Sequence, residues 1–230
     1  MMRSAAEAVA AEAVAAVAAT PTAHHADELE VRVGWLDELG AFRSLWPAAP
    51  SLLGAGDEER TLDWMLPGNV RVTTDPACTR VLACIRKTRL AQRVLEAGDG
   101  VAVRVVHSTE RACTPPRALG QGVSAAALGA RATLVRRKTR RSRVVAPGWR
   151  LDVTAVHEDV VVRNGGRTSG FNVEVERVGG GSAAALEGVL RRLLPAMQSH
   201  RLTAAAPASP PPPPPAAPAP PRAGATSRPA

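Results

Sequence analysis

Charged and apolar residues alternate with period two along much of this chain, a pattern that commits it to β-strands with two unlike faces. In Glu28-Leu29-Glu30-Val31-Arg32-Val33 the even positions are charged and the odd ones apolar. Phe171-Asn172-Val173-Glu174-Val175-Glu176 and Trp149-Arg150-Leu151-Asp152-Val153-Thr154 divide the same way. Between Leu134 and Arg140 one face carries Arg136, Lys138 and Arg140, and between Gly100 and Glu110 the residues Arg104 and Glu110 share a face with Val106 and Ser108. Strands are predicted over Glu28–Gly34, Gly68–Thr74, Arg80–Arg89, Gly100–Glu110, Arg131–Arg143, Trp149–Val156, Asp159–Arg163 and Phe171–Val178. Helical spacing is read only twice, over Asp57–Leu66 and over Ala184–Met197, where Pro195 is expected to kink or end the helix. The expected fold is mainly β (α+β), a closed antiparallel eight-stranded barrel with a few flanking helices, or a sandwich of the same strands.

At 230 residues the chain suits one domain with ragged ends. Residues 1–22, rich in alanine, read as an isolated helix or disordered arm with little to bury. Residues 23–202 form the working domain, and residues 203–230, with the run Pro210 to Pro215, read as a disordered Ala/Pro tail. Glu7 and Glu12 argue against a signal peptide, and no stretch approaches the ~20 apolar residues of a membrane span. The expected setting is intracellular, nucleus or cytoplasm, a viral origin included. Cys78, Cys84 and Cys113 form no C-x-x-C and read as small buried hydrophobes in a reducing compartment. His24-His25, His107, His157 and His200 show no ligand spacing, and Gly179-Gly180-Gly181 is not followed by the G-K-[ST] of a phosphate cradle.

The net charge of +8 points to a polyanionic partner. Of 29 cationic residues only Lys87 and Lys138 are lysine, so a genome bias toward arginine accounts for the rest but not for these two. Strand by strand, the charged faces read as the solvent side of an ordinary sandwich. Taken together they read differently. Carboxylates two apart on a strand lie about 7 Å from each other, so Glu28/Glu30 and Glu174/Glu176 need a cation between them. Two strands collect acid and another collects base, and a barrel of about eight strands has room inside for side chains or one small ligand. Carboxylate oxygens suit Mg²⁺ or Mn²⁺ rather than zinc.

The succession ELEVRVG, RRKTR, WRLDVT and FNVEVE, running from Glu28 to Glu176, resembles the RNA triphosphatases of fungi, protists and large DNA viruses, which are triphosphate tunnel metalloenzymes. The resemblance implies that Glu28 and Glu30 form a metal-binding pair, joined by Glu174 and Glu176. It implies that Arg136, Lys138 and Arg140 grip phosphate, and that Arg150, Asp152 and Thr154 organise the tunnel floor. Glu110 then matches a glutamate that holds water at the metal, and Arg71 and Lys87 match two further tunnel cations. Where the family's last acidic strand reads E-x-E-x-E, this chain has Asn172 first. The implied activity is metal-dependent removal of the γ-phosphate from 5′-triphosphate RNA before capping, together with NTP hydrolysis. The implied partner is a separate capping guanylyltransferase, because neither lysine lies in a K-x-D-G sequence. The implied oligomeric state is monomer or homodimer. The alternatives are an inorganic tripolyphosphatase or other tunnel-fold triphosphate enzyme, whose first strand tends to read E-x-E-x-K where this chain has Arg32, and a non-catalytic basic RNA- or polyphosphate-binding module.

Overall fold

The computed structural model describes residues 4–20, 27–52, 58–97, 100–114, 124–160 and 167–205. In chain order the elements are α1 (Ala5–Ala18), β1 (Asp27–Leu36), β2 (Phe42–Arg43), β3 (Glu58–Leu66), β4 (Val70–Thr74), β5 (Val81–Glu96), β6 (Val101–Ala112), α2 (Ala125–Gly129), β7 (Leu134–Ala146), β8 (Trp149–Val160), β9 (Arg167–Arg177) and α3 (Ala183–Ala205). Tight antiparallel turns set the registers. Ala146 pairs with Trp149 across Pro147 and Gly148, and Gly148 has φ +72, a left-handed conformation that a side chain resists.

All strands pair antiparallel in the order β2-β1-β6-β5-β4-β3-β7-β8-β9, and a further pairing of β1 with β9 closes the ring. That closing seam sets Glu30 opposite Glu176 and Arg32 opposite Glu174. The result is the expected eight-stranded barrel, with β2 as a short extra strand on β1. Closure removes the exposed edges that an open sheet of this size would carry.

The apolar faces point outward and are covered in two places. Leu29, Val31, Val33, Val103, Val105, Trp149, Leu151, Val173 and Val175 pack beneath α1 and α3. Trp64, Leu66, Val70, Val72, Cys78 and Cys84 pack around Leu128 of α2. The N-terminal arm is therefore no isolated helix. Ser4 and Glu7 form a capping box, and Ala6, Val9, Ala10, Ala13 and Val17 are buried. Alanine contributes little area per residue, but its small side chain brings the helix backbone close to α3 and the barrel.

Three predicted elements need correction. Asp57–Leu66 was expected to be a helix, because Leu62, Met65 and Leu66 have helical spacing. Its described part is strand β3, whose pairings with β4 and β7 override local propensity. The break placed after Val156 does not occur. β8 runs to Val160, because Glu158 and Asp159 pair across with Arg136 and Val135; residues 161–163 lie outside the described residues. The helix α3 continues through Pro195 to Ala205. Leu186, Val189, Leu190, Leu193, Leu194 and Met197 are all buried, and that continuous stripe outweighs the hydrogen bond a proline cannot make. His24-His25, the boundary at residues 22 and 23 and the proline-rich tail lie outside the described residues.

Candidate active site

The inward faces of the strands enclose a cavity of about 160 Å³. Its lining is polar or charged except for Val156. Glu28, Glu30, Arg32, Arg71, Lys87, Glu110, Arg136, Lys138, Arg140, Arg150, Thr154, Asn172, Glu174 and Glu176 all line it, so every site residue named from the sequence is there except Asp152. Asp152 is buried just beneath, where it accepts from Arg150 Nε at 2.8 Å and lies 3.9 Å from Arg140. The structure adds Asp63, hidden at the sequence level by the helical reading of β3. Its signal was nonetheless present: in Leu62-Asp63-Trp64 the aspartate alternates with apolar residues that face outward.

Around the ring β9 faces β4 and β1 faces β3, so the acid of β9 and β1 looks across at the opposite wall, where Arg71 of β4 and the neighbouring basic strand β7 lie. Each cavity cation has a carboxylate. Arg32 lies 2.9 Å from Glu30 and 3.2 Å from Glu174. Lys87 is paired with Glu28, and lies 3.7 Å from Glu30 and 3.5 Å from Glu110. Arg71 donates to Glu110 at 3.1 Å, Arg136 to Glu158 at 2.6 Å, Lys138 to Asp63 at 2.8 Å and Arg150 to Glu176 at 2.6 Å. Ser108 Oγ donates to Glu28 at 3.0 Å and Thr73 Oγ1 to Asp63 at 2.8 Å.

Burial sets the electrostatics. It pushes the Lys138 ammonium below the usual lysine range, with Arg140 and Arg71 adding repulsion, although Asp63 pulls the other way. Burial alone would raise Asp63, but Lys138 and then Arg71 hold its carboxyl below the ordinary range. At Glu176 burial, helped by Glu28 and Asp152, prevails over Arg150 and pushes the carboxyl up to about 7.

A hard divalent cation fits this donor set in its chemistry. Four carboxylates of β1 and β9 share one cavity and offer the hard oxygen donors such an ion takes. Among the described residues no three of them are drawn together as a ligand shell, for Arg32, Lys87 and Arg150 stand among them. The opposite wall fits an anion. Arg71 Nε and Arg140 Nε are buried without a hydrogen-bond partner, as is Asn172 Oδ1 on the acidic side.

No protein-family model matches the chain, and no characterised protein matches it by sequence. Solved structures do. The S. pombe RNA triphosphatase Pct1 is 18% identical, with a TM-score of 0.53 over 89% of this chain and 90% of that one. The same enzyme in complex with the Spt5 CTD is 18% identical, with a TM-score of 0.53 over 88% and 94%. The RNA triphosphatase domain of a mimivirus mRNA capping enzyme overlaps less well, with a TM-score of 0.45 at 11% identity over 86% and 100%. In its closed antiparallel barrel the chain shares the fold of the S. pombe RNA triphosphatase.

Proposed function

We propose that this chain is a metal-dependent RNA 5′-triphosphatase, which hydrolyses the γ-phosphate of 5′-triphosphate RNA to leave 5′-diphosphate RNA and orthophosphate. The observation that carries the reading is the division of one cavity into an acidic wall and a basic wall. An acidic wall repels a polyphosphate unless a cation intervenes, and a basic wall with buried unpartnered guanidinium nitrogens attracts one. At about 160 Å³ the cavity is small beside the pockets of roughly 300 Å³ or more that hold drug-sized ligands. It suits a chain of phosphates better than a nucleoside.

Glu28, Glu30, Glu174 and Glu176 would hold Mg²⁺ or Mn²⁺, which when bound neutralises phosphate charge and polarises the γ-phosphoryl group. Arg136, Lys138, Arg140 and Arg71 exchange their carboxylate partners for phosphate oxygens. They stabilise the charge that builds on the β–γ bridging oxygen as its bond to the γ-phosphorus breaks. Water forms the new bond to phosphorus, and Glu110 or Glu174 orients it and takes its proton. Arg150, Asp152, Thr154 and Asn172 set the floor, with Asp152 holding Arg150 by two hydrogen bonds at 2.8 and 2.9 Å. Arg32 spaces Glu30 from Glu174. The guanylyl transfer that completes a cap falls to a separate chain.

The test is release of orthophosphate from 5′-triphosphate RNA with Mg²⁺ or Mn²⁺ and with chelator, using ATP and tripolyphosphate as comparators. Metal-dependent release of one orthophosphate per RNA end is expected. No release with either metal, or equal release in chelator, would refute the assignment. A strong preference for tripolyphosphate would turn it toward the inorganic substrate. Among the described residues no helix is long and apolar enough to cross a membrane.

A further inference from the structure

Every cation lining the cavity has a carboxylate partner, but Arg104 has none among the described residues. It sits on β6 directly opposite Arg32 of β1, on the same inward face, so it continues the lining past the cavity. Its Nε is buried without a hydrogen-bond partner, and its guanidinium lies 4.5 Å from the centre of the Phe42 ring. Arg89 faces the same way, for it pairs with the buried, inward Ser108, and it is exposed to solvent. Burial, followed by the fields of Arg32 and Arg89, keeps Arg104 less basic than an ordinary arginine, against the opposing pull of Glu30 and Glu174. Arg104 and Arg32 are thus like charges set opposite each other across the β1–β6 pair.

The place is built rather than accidental. Phe42 pairs with Leu36 on the inward row of β1. It fits there because position 34 is glycine: a Cβ would stand 2.8 Å from the Phe42 ring and 2.0 Å from the Arg43 carbonyl oxygen. The ring holds the Arg104 guanidinium by a cation–π contact over its face.

We propose that Arg104, assisted by Arg89, binds a phosphodiester of the RNA that follows the 5′-triphosphate, so that this end of the tunnel selects polynucleotide over free triphosphate. The inference rests on the triphosphatase reading. A cavity that holds only the phosphates must let the nucleoside out, and the next inward cations along the wall are these two. A planar guanidinium offers paired donors to the two non-bridging oxygens of a phosphodiester.

The test compares wild type, Arg104→Gln, Arg104→Lys and Arg89→Ala. It measures KM for orthophosphate release from a short 5′-triphosphate RNA and from tripolyphosphate, and binding of the same fluorescent RNA in chelator. Arg104→Gln is expected to raise KM and Kd for RNA by at least about fivefold, leave KM for tripolyphosphate within about twofold, and reduce the salt slope of RNA binding by about one. Arg104→Lys should recover only part of the loss. Equal rises for RNA and tripolyphosphate would place Arg104 in the triphosphate grip and overturn the proposal, as would no change for either. If wild type releases no orthophosphate the triphosphatase reading fails by itself, and RNA binding with tripolyphosphate as competitor still decides the subsite. Should Arg104→Gln not fold by its melting curve, the exposed Arg89→Ala must show the same split at smaller size, and its absence would overturn the proposal.

Discussion

Strands β9 and β1 turn mainly acid into the tunnel and an apolar face outward, whereas β7 carries charge on both faces. Behind Glu28, Glu30, Glu174 and Glu176 lie Leu29, Val31, Val173 and Val175, sealed under α1 and α3. Behind Arg136, Lys138 and Arg140 lie Arg137, Arg141 and Arg143, all exposed. The difference follows from what each wall must resist. Carboxylates crowded in one cavity repel, and strands that hold them together need a packed backing to stay in place. The cations of the basic wall each meet an acid, and β7 is held by its ladders to β3 and β8. Its outer arginines make only surface pairs, Arg141 with Glu58 at 2.5 Å and Arg137 with Asp159 at 3.8 Å.

This contrast can be broken at five points. The largest effect belongs to the backing. Leu29→Ala removes a fully buried side chain beneath the acidic wall and should cost about 2–5 kcal/mol of stability by denaturant unfolding. A loss under about 1 kcal/mol would show that α1 and α3 do not brace it.

Next comes Asp63→Asn, which leaves the Lys138 ammonium buried without its carboxylate. About 3 kcal/mol of stability should be lost near neutral pH, the low end for a broken buried pair because the cavity is polar and Lys138 is 14% exposed. The folded carboxyl titrates below its unfolded value, so its contribution is present above the ordinary aspartate pKa of about 4 and is lost as pH falls through the lowered one. The variant should therefore unfold with a shallower acid limb than wild type. An unchanged limb would mean that another carboxylate holds Lys138.

Third, Glu30→Ala should reduce turnover by over about 100-fold, roughly 2.7 kcal/mol, while Asn172→Ala stays within about tenfold. Similar losses in both would refute the proposed assignment of Glu30, and not Asn172, to the metal. Fourth, Lys138→Arg should lose about tenfold in rate, roughly 1.4 kcal/mol, because a compact ammonium and a planar fork fill the space beside phosphate differently. Full activity would mean that position 138 supplies only charge. The smallest effect is that of Arg137→Ala on the bare outer face of β7, expected within about 0.5 kcal/mol in stability and with little change in turnover. A large loss there would make the outer face part of the site.

Much of this was legible without coordinates. Alternation in β1, β8 and β9 marked their inward residues, because a strand sends successive side chains to opposite faces whatever its partners are. Segment Glu58–Leu66 escaped, because its apolar residues satisfy helical and strand spacing alike, and only pairing with β4 and β7 decides between them. Asp63 escaped with it. The breaks expected after Val156 and at Pro195 failed for a related reason: cross-strand partners and a buried stripe outweighed local signals.

What the sequence determined by itself is therefore the faces: which residues share a side of each strand, the acidic character of β1 and β9, and the basic character of β7. Tertiary structure alone decided how those faces meet. It placed Glu30 against Glu176, Lys138 against Asp63 and Arg104 against Arg32, and among the described residues it left Arg104 without a carboxylate in ion-pair contact. The physical reason is that facing within a strand follows from backbone geometry over two residues. Meeting across a barrel depends on pairings between residues as distant as Lys138 and Asp63, 75 positions apart, and these form only when the ring closes.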